Sequence, residues 1–210
     1  MNLFDLDGTL IDSNGIWVDV DLAFLGLHGL EPTEEYAYTV GHSIFPVAAE
    51  FTRTYYHLDL TAGEIMAQWL EMAGDAYARV PLKPGAGEYL ARCRARGERM
   101  AIVTACVPDL CRTALDRHGL TGLFEDVIFA QDLGMEKRDP EVFRIAARRL
   151  AVSPAACTLY EDAPANCRAA RAAGMRVVGV FDPFYAAYRA EMERECDGYI
   201  ESFTQLLDGN

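Results

Sequence analysis

Past Pro84 the chain settles into one rhythm: short apolar runs alternate with helical segments of about ten residues, most of them entered at a Pro or closed at a Gly. The spacing predicts helices over 87–96, 108–118, 140–150 and 164–173, with strands at 100–103, 126–129, 157–160 and 176–180. A helix near 185–194 and a short strand at 199–200 follow. Strands separated by whole helices cannot pair as hairpins, so they lie parallel, joined by right-handed crossovers, as a doubly wound sheet. The first apolar run, Asn2 to Leu6, is too short for a helix and belongs at the centre of that sheet. Between Gly15 and Val80 the period changes. Trp17, Val20, Phe24 and Leu27 recur at helical spacing, as do Ile65, Trp69, Met72 and Ala76 after Thr61; four helices fit there and no strand. The expected fold is α/β, with residues 1–13 and 81–210 forming the sheet core and 14–80 an inserted four-helix cap. A chain of 210 residues, 51% hydrophobic and 24% charged, has the size and composition for one such core with an insert.

In an open parallel sheet, ligands bind beyond the carboxyl ends of the strands, so the residues there are read together. The first strand runs into Asp5-Leu6-Asp7-Gly8-Thr9, the second ends in Thr104-Ala105, the third leads through Asp132 to Lys137, and the fourth ends in Glu161-Asp162. Asp5 and Asp7 stand at the end of a strand that is otherwise buried, and carboxylates so close repel unless a cation intervenes. With Asp162 arriving from another strand, an all-oxygen donor set suits Mg²⁺, which keeps several waters and takes a further ligand from a phosphate. Lys137 is one of only two lysines, beside Lys83, against seventeen arginines. A compact ammonium can approach a carboxylate and a phosphate oxygen together, which a guanidinium does poorly; Lys83 reads as a solvated surface lysine. The Thr104 hydroxyl, with the backbone N–H groups before the helix entered at Pro108, is a candidate anion site. Gly85-Ala86-Gly87 lacks the third glycine and the preceding strand of a nucleotide-binding turn, and Asp5-Leu6-Asp7-Gly8 has its glycine two places too early for a calcium-binding loop.

Taken together, these segments resemble the phosphohydrolases of the haloacid dehalogenase superfamily, in the branch with a helical cap after the first strand. The likeness rests on Asp5-Leu6-Asp7-Gly8-Thr9, Thr104, Lys137 and Tyr160-Glu161-Asp162-Ala163-Pro164, and spans the whole chain. One departure is Lys137-Arg138-Asp139-Pro140, where the family often has a proline directly after the lysine. The resemblance implies a Rossmann-like core and hydrolysis of a phosphomonoester through an aspartyl-phosphate. Asp5 is then the nucleophile and Asp7 the general acid and base. Mg²⁺ is held by Asp5, the Asp7 carbonyl and Asp162, with Glu161 as a further ligand or an acceptor behind the ligands. Leu6, Thr104, Ala105 and Lys137 hold the phosphate oxygens. The alternatives are a β-phosphoglucomutase-type phosphotransferase, which shares every core residue, and a non-enzymatic phospho-acceptor module. The latter lacks a cap and carries its acceptor on the third strand. Asp7 argues against a dehalogenase, and a cap without lysine against a phosphonatase that needs a Schiff base.

Charge narrows the partners. A formal net of −13 repels nucleic-acid backbones and anionic membrane surfaces, and the longest stretch free of charged residues, Tyr36 to Ala49, is too short to span a bilayer. Six cysteines without a C-x-x-C pair read as reduced thiols, and carboxylates at positions 5 and 7 are unlike an export signal, so a cytoplasmic protein is expected, monomeric or a weak homo-oligomer. The cap holds ten acids against Arg53 and Arg79 alone. That balance favours a small phosphorylated metabolite whose far end is neutral or cationic, with Trp17, His42 and Ser43 as candidate cap contacts.

Overall fold

The computed structural model describes residues 1–207. Six parallel strands form one sheet: β1 (Asn2–Phe4), β2 (Met100–Thr104), β3 (Val127–Phe129), β4 (Thr158–Glu161), β5 (Arg176–Val180) and β6 (Gly198–Ile200). Their spatial order is β3-β2-β1-β4-β5-β6, so β1 is central and the chain reverses direction across the sheet between β3 and β4. That is the topological switch point of a doubly wound fold, and it puts the ends of β1, β2 and β4 side by side. The strands are near-continuous apolar runs because helices cover both faces.

Four helices stand between β1 and β2: α1 (Asn14–Leu27), α2 (Glu34–Gly41), α3 (Phe45–Tyr55) and α4 (Ala62–Tyr77). Thr61 and Glu64 form a reciprocal capping box at the start of α4, satisfying two backbone N–H groups that the first turn leaves free. The two linkers into and out of this cap pair with each other. Asp12 N–H donates to Pro81 O at 3.0 Å and Lys83 N–H to Leu10 O at 2.9 Å, around a bridge between Ile11 and Leu82. The core helices are α5 (Ala86–Ala95), α6 (Pro108–Arg117), α7 (Pro140–Arg149), α8 (Pro164–Ala172) and α9 (Arg189–Glu195). Among the described residues no helix is long and apolar enough to cross a membrane.

Four sequence expectations need correction here. The apolar stripe of α1 does not reach Leu27, which is 72% exposed; Val20, Phe24 and Leu25 are the buried positions. In α4 the buried face after Trp69 continues through Ala73 and Tyr77, in steps of four, and not through Met72 and Ala76. The helix expected over 185–194 is broken: Pro183–Tyr188 winds as a tight 3₁₀ turn, kinked at Tyr185, before α9 begins. Asp182 caps the start of that turn, its carboxylate accepting the Phe184 N–H at 2.9 Å while it pairs with Lys83 Nζ at 2.7 Å. Lys83 is accordingly a buried lysine in the cap linker and not a solvated one.

Candidate active site

The motif after β1 turns sharply because Gly8 adopts φ +75°, in the left-handed region where a side chain is strained. A Cβ there would also collide with the Asn14 amide and the Asp162 carboxylate. The turn therefore lets Asp162, at the end of β4, approach the backbone of β1. Thr9 Oγ1 donates to Asp162 Oδ1 at 2.8 Å and Asn14 Nδ2 to Oδ2 at 2.9 Å, which fixes that carboxylate from both sides.

Asp5, Glu161 and Asp162 are buried and offer carboxylate oxygens within 4.8 Å of one another, a geometry that can hold a metal ion. Lys137, 4% exposed, enters from the segment after β3, with Nζ 2.7 Å from Asp5 Oδ1 and 2.7 Å from Glu161 Oε2. Three buried carboxylates against one ammonium leave excess negative charge. Burial, with Glu161 alongside, pushes the Asp5 carboxyl up to about 8 despite Lys137, and burial with Glu161 and Asp5 holds the Asp162 carboxyl well above the usual range. Burial acting alone would lower the Lys137 ammonium, but Asp5 and Glu161 hold it above its ordinary value. An oxygen-only cluster short of positive charge is what a hard divalent cation requires. Glu161 has both oxygens engaged, one by Lys137 and the other by the Ala163 N–H at 3.0 Å, which suits an acceptor that orients the lysine.

Asp7 faces the other way, toward the cap. Its Oδ1 accepts the Ser13 hydroxyl at 2.6 Å and the hydroxyl of Tyr77, the last residue of α4. Trp17 Nε1 in turn donates to the Tyr77 oxygen at 2.7 Å. Ser13 stands where a helix N-cap would, yet its side chain caps nothing because it serves Asp7. Thr104, wholly buried at the end of β2, accepts the Cys106 N–H on its hydroxyl oxygen at 3.0 Å, so its proton remains to be donated elsewhere.

Above these residues lies a cavity of about 290 Å³, bordered below by Asp5, Asp7, Thr104, Ala105, Lys137 and Asp162. Trp17 and Ser43 line it from the cap, although the Ser43 hydroxyl donates to Thr39 O. His42 does not line it: the ring stacks on Tyr38, with Nδ1 2.7 Å from Tyr38 O, so the expected substrate contact gives way to a local one. Leu6 is wholly buried, and its carbonyl accepts from Thr9, Leu10 and Ile11, leaving only its backbone N–H for a phosphate. Asp132 is exposed and belongs neither to the carboxylate cluster nor to the cavity lining. Thr9 stood in the motif without a role, and sequence reasoning missed Ser13, Asn14 and Tyr77; each of the four hydrogen-bonds an aspartate of the site.

Comparison with known proteins agrees with this geometry. A family model for haloacid dehalogenase-like hydrolases matches residues 2–180. Hexitol phosphatase A of Escherichia coli K12 is 31% identical over 196 residues, covering 86% of this chain and 82% of that one. Phosphoserine phosphatase of Thermus thermophilus is 40% identical over 103 residues, only 49% of this chain and 41% of that one. Among solved structures, CbbY from Rhodobacter sphaeroides in complex with xylulose-1,5-bisphosphate superposes with a TM-score of 0.83 at 24% identity, covering 98% and 95% of the two chains, which bears on the fold alone. The chain belongs to the haloacid dehalogenase-like hydrolases, in the branch that carries a helical cap after the first strand, and is a phosphoric monoester hydrolase of that family.

Proposed function

We propose that this protein is a Mg²⁺-dependent phosphatase of small monophosphorylated metabolites, acting through an aspartyl-phosphate on Asp5. The observation that carries the reading is the position of Asp5: buried at the end of the central strand, bridged by Lys137 to Glu161, beside Asp162 and beneath the cavity. In the first step an Asp5 oxygen attacks phosphorus as the bond to the leaving oxygen breaks, and Asp7 supplies the proton that oxygen takes up. In the second, Asp7 removes a proton from water, which attacks phosphorus and releases phosphate and the Asp5 carboxylate. Thr104 donates to one phosphoryl oxygen, and Lys137 neutralises another while holding Asp5 in place. Asp5, Asp162 and the Asp7 carbonyl would hold the metal, whose charge would offset the carboxylate repulsion and the negative charge that develops on the phosphoryl group. The cavity offers no cation but Lys137 among its lining residues, which supports a monophosphate over a substrate bearing a second phosphate, and so hydrolysis over phosphoryl transfer between two positions of one sugar.

Release of phosphate from p-nitrophenyl phosphate and from alkyl phosphates with Mg²⁺ tests this reading. Asp7→Asn is expected to slow alkyl esters by about a hundredfold or more, because their alkoxides need a proton, and aryl esters much less. Tyr77→Phe, which keeps the ring and removes the hydroxyl from Asp7, should show the same leaving-group bias at smaller size with KM little changed. Equal losses on both ester types would make Asp7 a structural residue.

Metal removal carries a sign that can be checked. The Asp5 carboxyl is pushed up to about 8 in the folded protein against its ordinary 3.8, so the metal-free folded state keeps a proton that the unfolded chain has lost. That contribution to stability is complete below the unfolded value and disappears as pH rises through about 8. A divalent cation replaces the proton. The rise in Tm on adding Mg²⁺ to chelator-treated protein should therefore be larger at about pH 9 than at about pH 6. A rise that shrinks with pH would place the metal away from Asp5.

A further inference from the structure

One face of α1 forms a wall of the cavity. Asn14, Trp17, Val18, Asp21 and Leu22 recur at helical spacing, and all five line it. Asn14 is tied to the foot of the wall through Asp162, at 2.9 Å. Asp21 lies seven residues on, about 10 Å along the axis at 1.5 Å per residue. The other cap side chains lining the cavity are mostly apolar, Val40, Phe45 and Trp69 among them. Asp21 is the one charged side chain the cap brings to the cavity. It is half-buried, its Oδ1 accepts the Tyr36 hydroxyl at 2.7 Å, and among the described residues no basic side chain pairs with it. Burial keeps its carboxyl above the usual range. Lys137, the lone cation lining the cavity among the described residues, is held by Asp5 and Glu161.

A carboxylate in an apolar wall gains most from a cation brought by the ligand, since a hydroxyl would satisfy its hydrogen-bonding capacity without offsetting its charge. We infer that Asp21 is a specificity-determining residue that receives an ammonium group, and that the substrate is the phosphomonoester of a hexose-sized amino alcohol with its amine remote from the phosphate. The assignment rests on the phosphatase reading above. The 10 Å rise suits a ring-sized leaving alcohol better than a two-carbon one, whose amine would stop short of Asp21.

The test is the ratio of kcat/KM for glucosamine 6-phosphate to that for glucose 6-phosphate, measured with Mg²⁺ in one preparation so that the active fraction cancels. Wild type should favour the amine by about tenfold, the range of a partly desolvated charge pair. Asp21→Asn retains an acceptor for Tyr36 and loses only the charge; its ratio should fall to about one, and Asp21→Glu should recover part of the preference. A wild-type ratio near one, a preference that survives in Asp21→Asn, or hydrolysis of p-nitrophenyl phosphate with neither hexose phosphate turned over would each overturn the assignment and leave the phosphatase reading standing. Absence of phosphate release from all three compounds would instead remove that reading and the assignment together.

Discussion

Asp5→Asn is expected to lower phosphate release from any monoester by four decades or more, with no loss of folded protein. The substitution keeps the shape of the side chain and an oxygen for Lys137, but an amide neither attacks phosphorus nor contributes a negative charge to the metal. Stability should move the other way. Asp5 is buried within reach of Glu161 and Asp162, and burial first, then the Glu161 charge, pushes its carboxyl up to about 8 despite Lys137. Asparagine cannot ionise there, so above about pH 8, where metal-free wild type must carry the Asp5 charge, metal-free Asp5→Asn should melt at or above the wild-type temperature. Phosphate release and thermal unfolding on the same preparation decide both points. Wild-type turnover in that variant would take Asp5 out of the mechanism; a collapsed Tm would mean that the carboxylate is structural.

The sheet and its catalytic edge were legible because they depend on local signals that add up. Short apolar runs, with a Pro at helix entries or a Gly at helix exits for most helices, marked the βα units. Once the strands were parallel, topology alone placed Asp5, Thr104, Lys137, Glu161 and Asp162 at one edge, and all five lie there. The cap was less readable for a definable reason. A helical stripe can be continued by three or by four residues, and both steps land on apolar residues after Trp69 in α4. The step of three chose Met72 and Ala76; the structure takes four and buries Ala73 and Tyr77, whose hydroxyl reaches Asp7. Ser13 and Asn14 were hidden because their types are commonplace at a helix start, and only the close approach permitted by Gly8 turns them toward Asp7 and Asp162. Lys83 was misread because its partner, Asp182, is ninety-nine residues away in sequence, beyond the reach of any local pattern.

Lys137 supports the second large effect, and there the variants separate charge from shape. Its ammonium stands 2.7 Å from Asp5 and 2.7 Å from Glu161, in a site 4% exposed. In Lys137→Ala the three carboxylates keep their burial and lose their only cation among the described residues, so kcat/KM should fall by about a thousandfold and stability by about 3–5 kcal/mol, as when one partner of a buried ion pair is removed. The sign with pH follows from the carboxylates. Without Lys137, whose charge holds it down, the folded-state Asp5 carboxyl rises further, the folded protein holds more protons than the unfolded chain, and metal-free Lys137→Ala should lose stability more steeply than wild type as pH rises through neutrality. Lys137→Arg restores the charge but not the fit. A planar guanidinium needs room for a fork of donors, whereas this site closes around a single nitrogen that touches two carboxylates and must still meet a phosphoryl oxygen. Its turnover should lie within about tenfold of Lys137→Ala, even where its Tm recovers toward wild type. Arginine activity close to wild type would show that any positive charge serves, and the scarcity of lysine in this chain would then carry no information about the site.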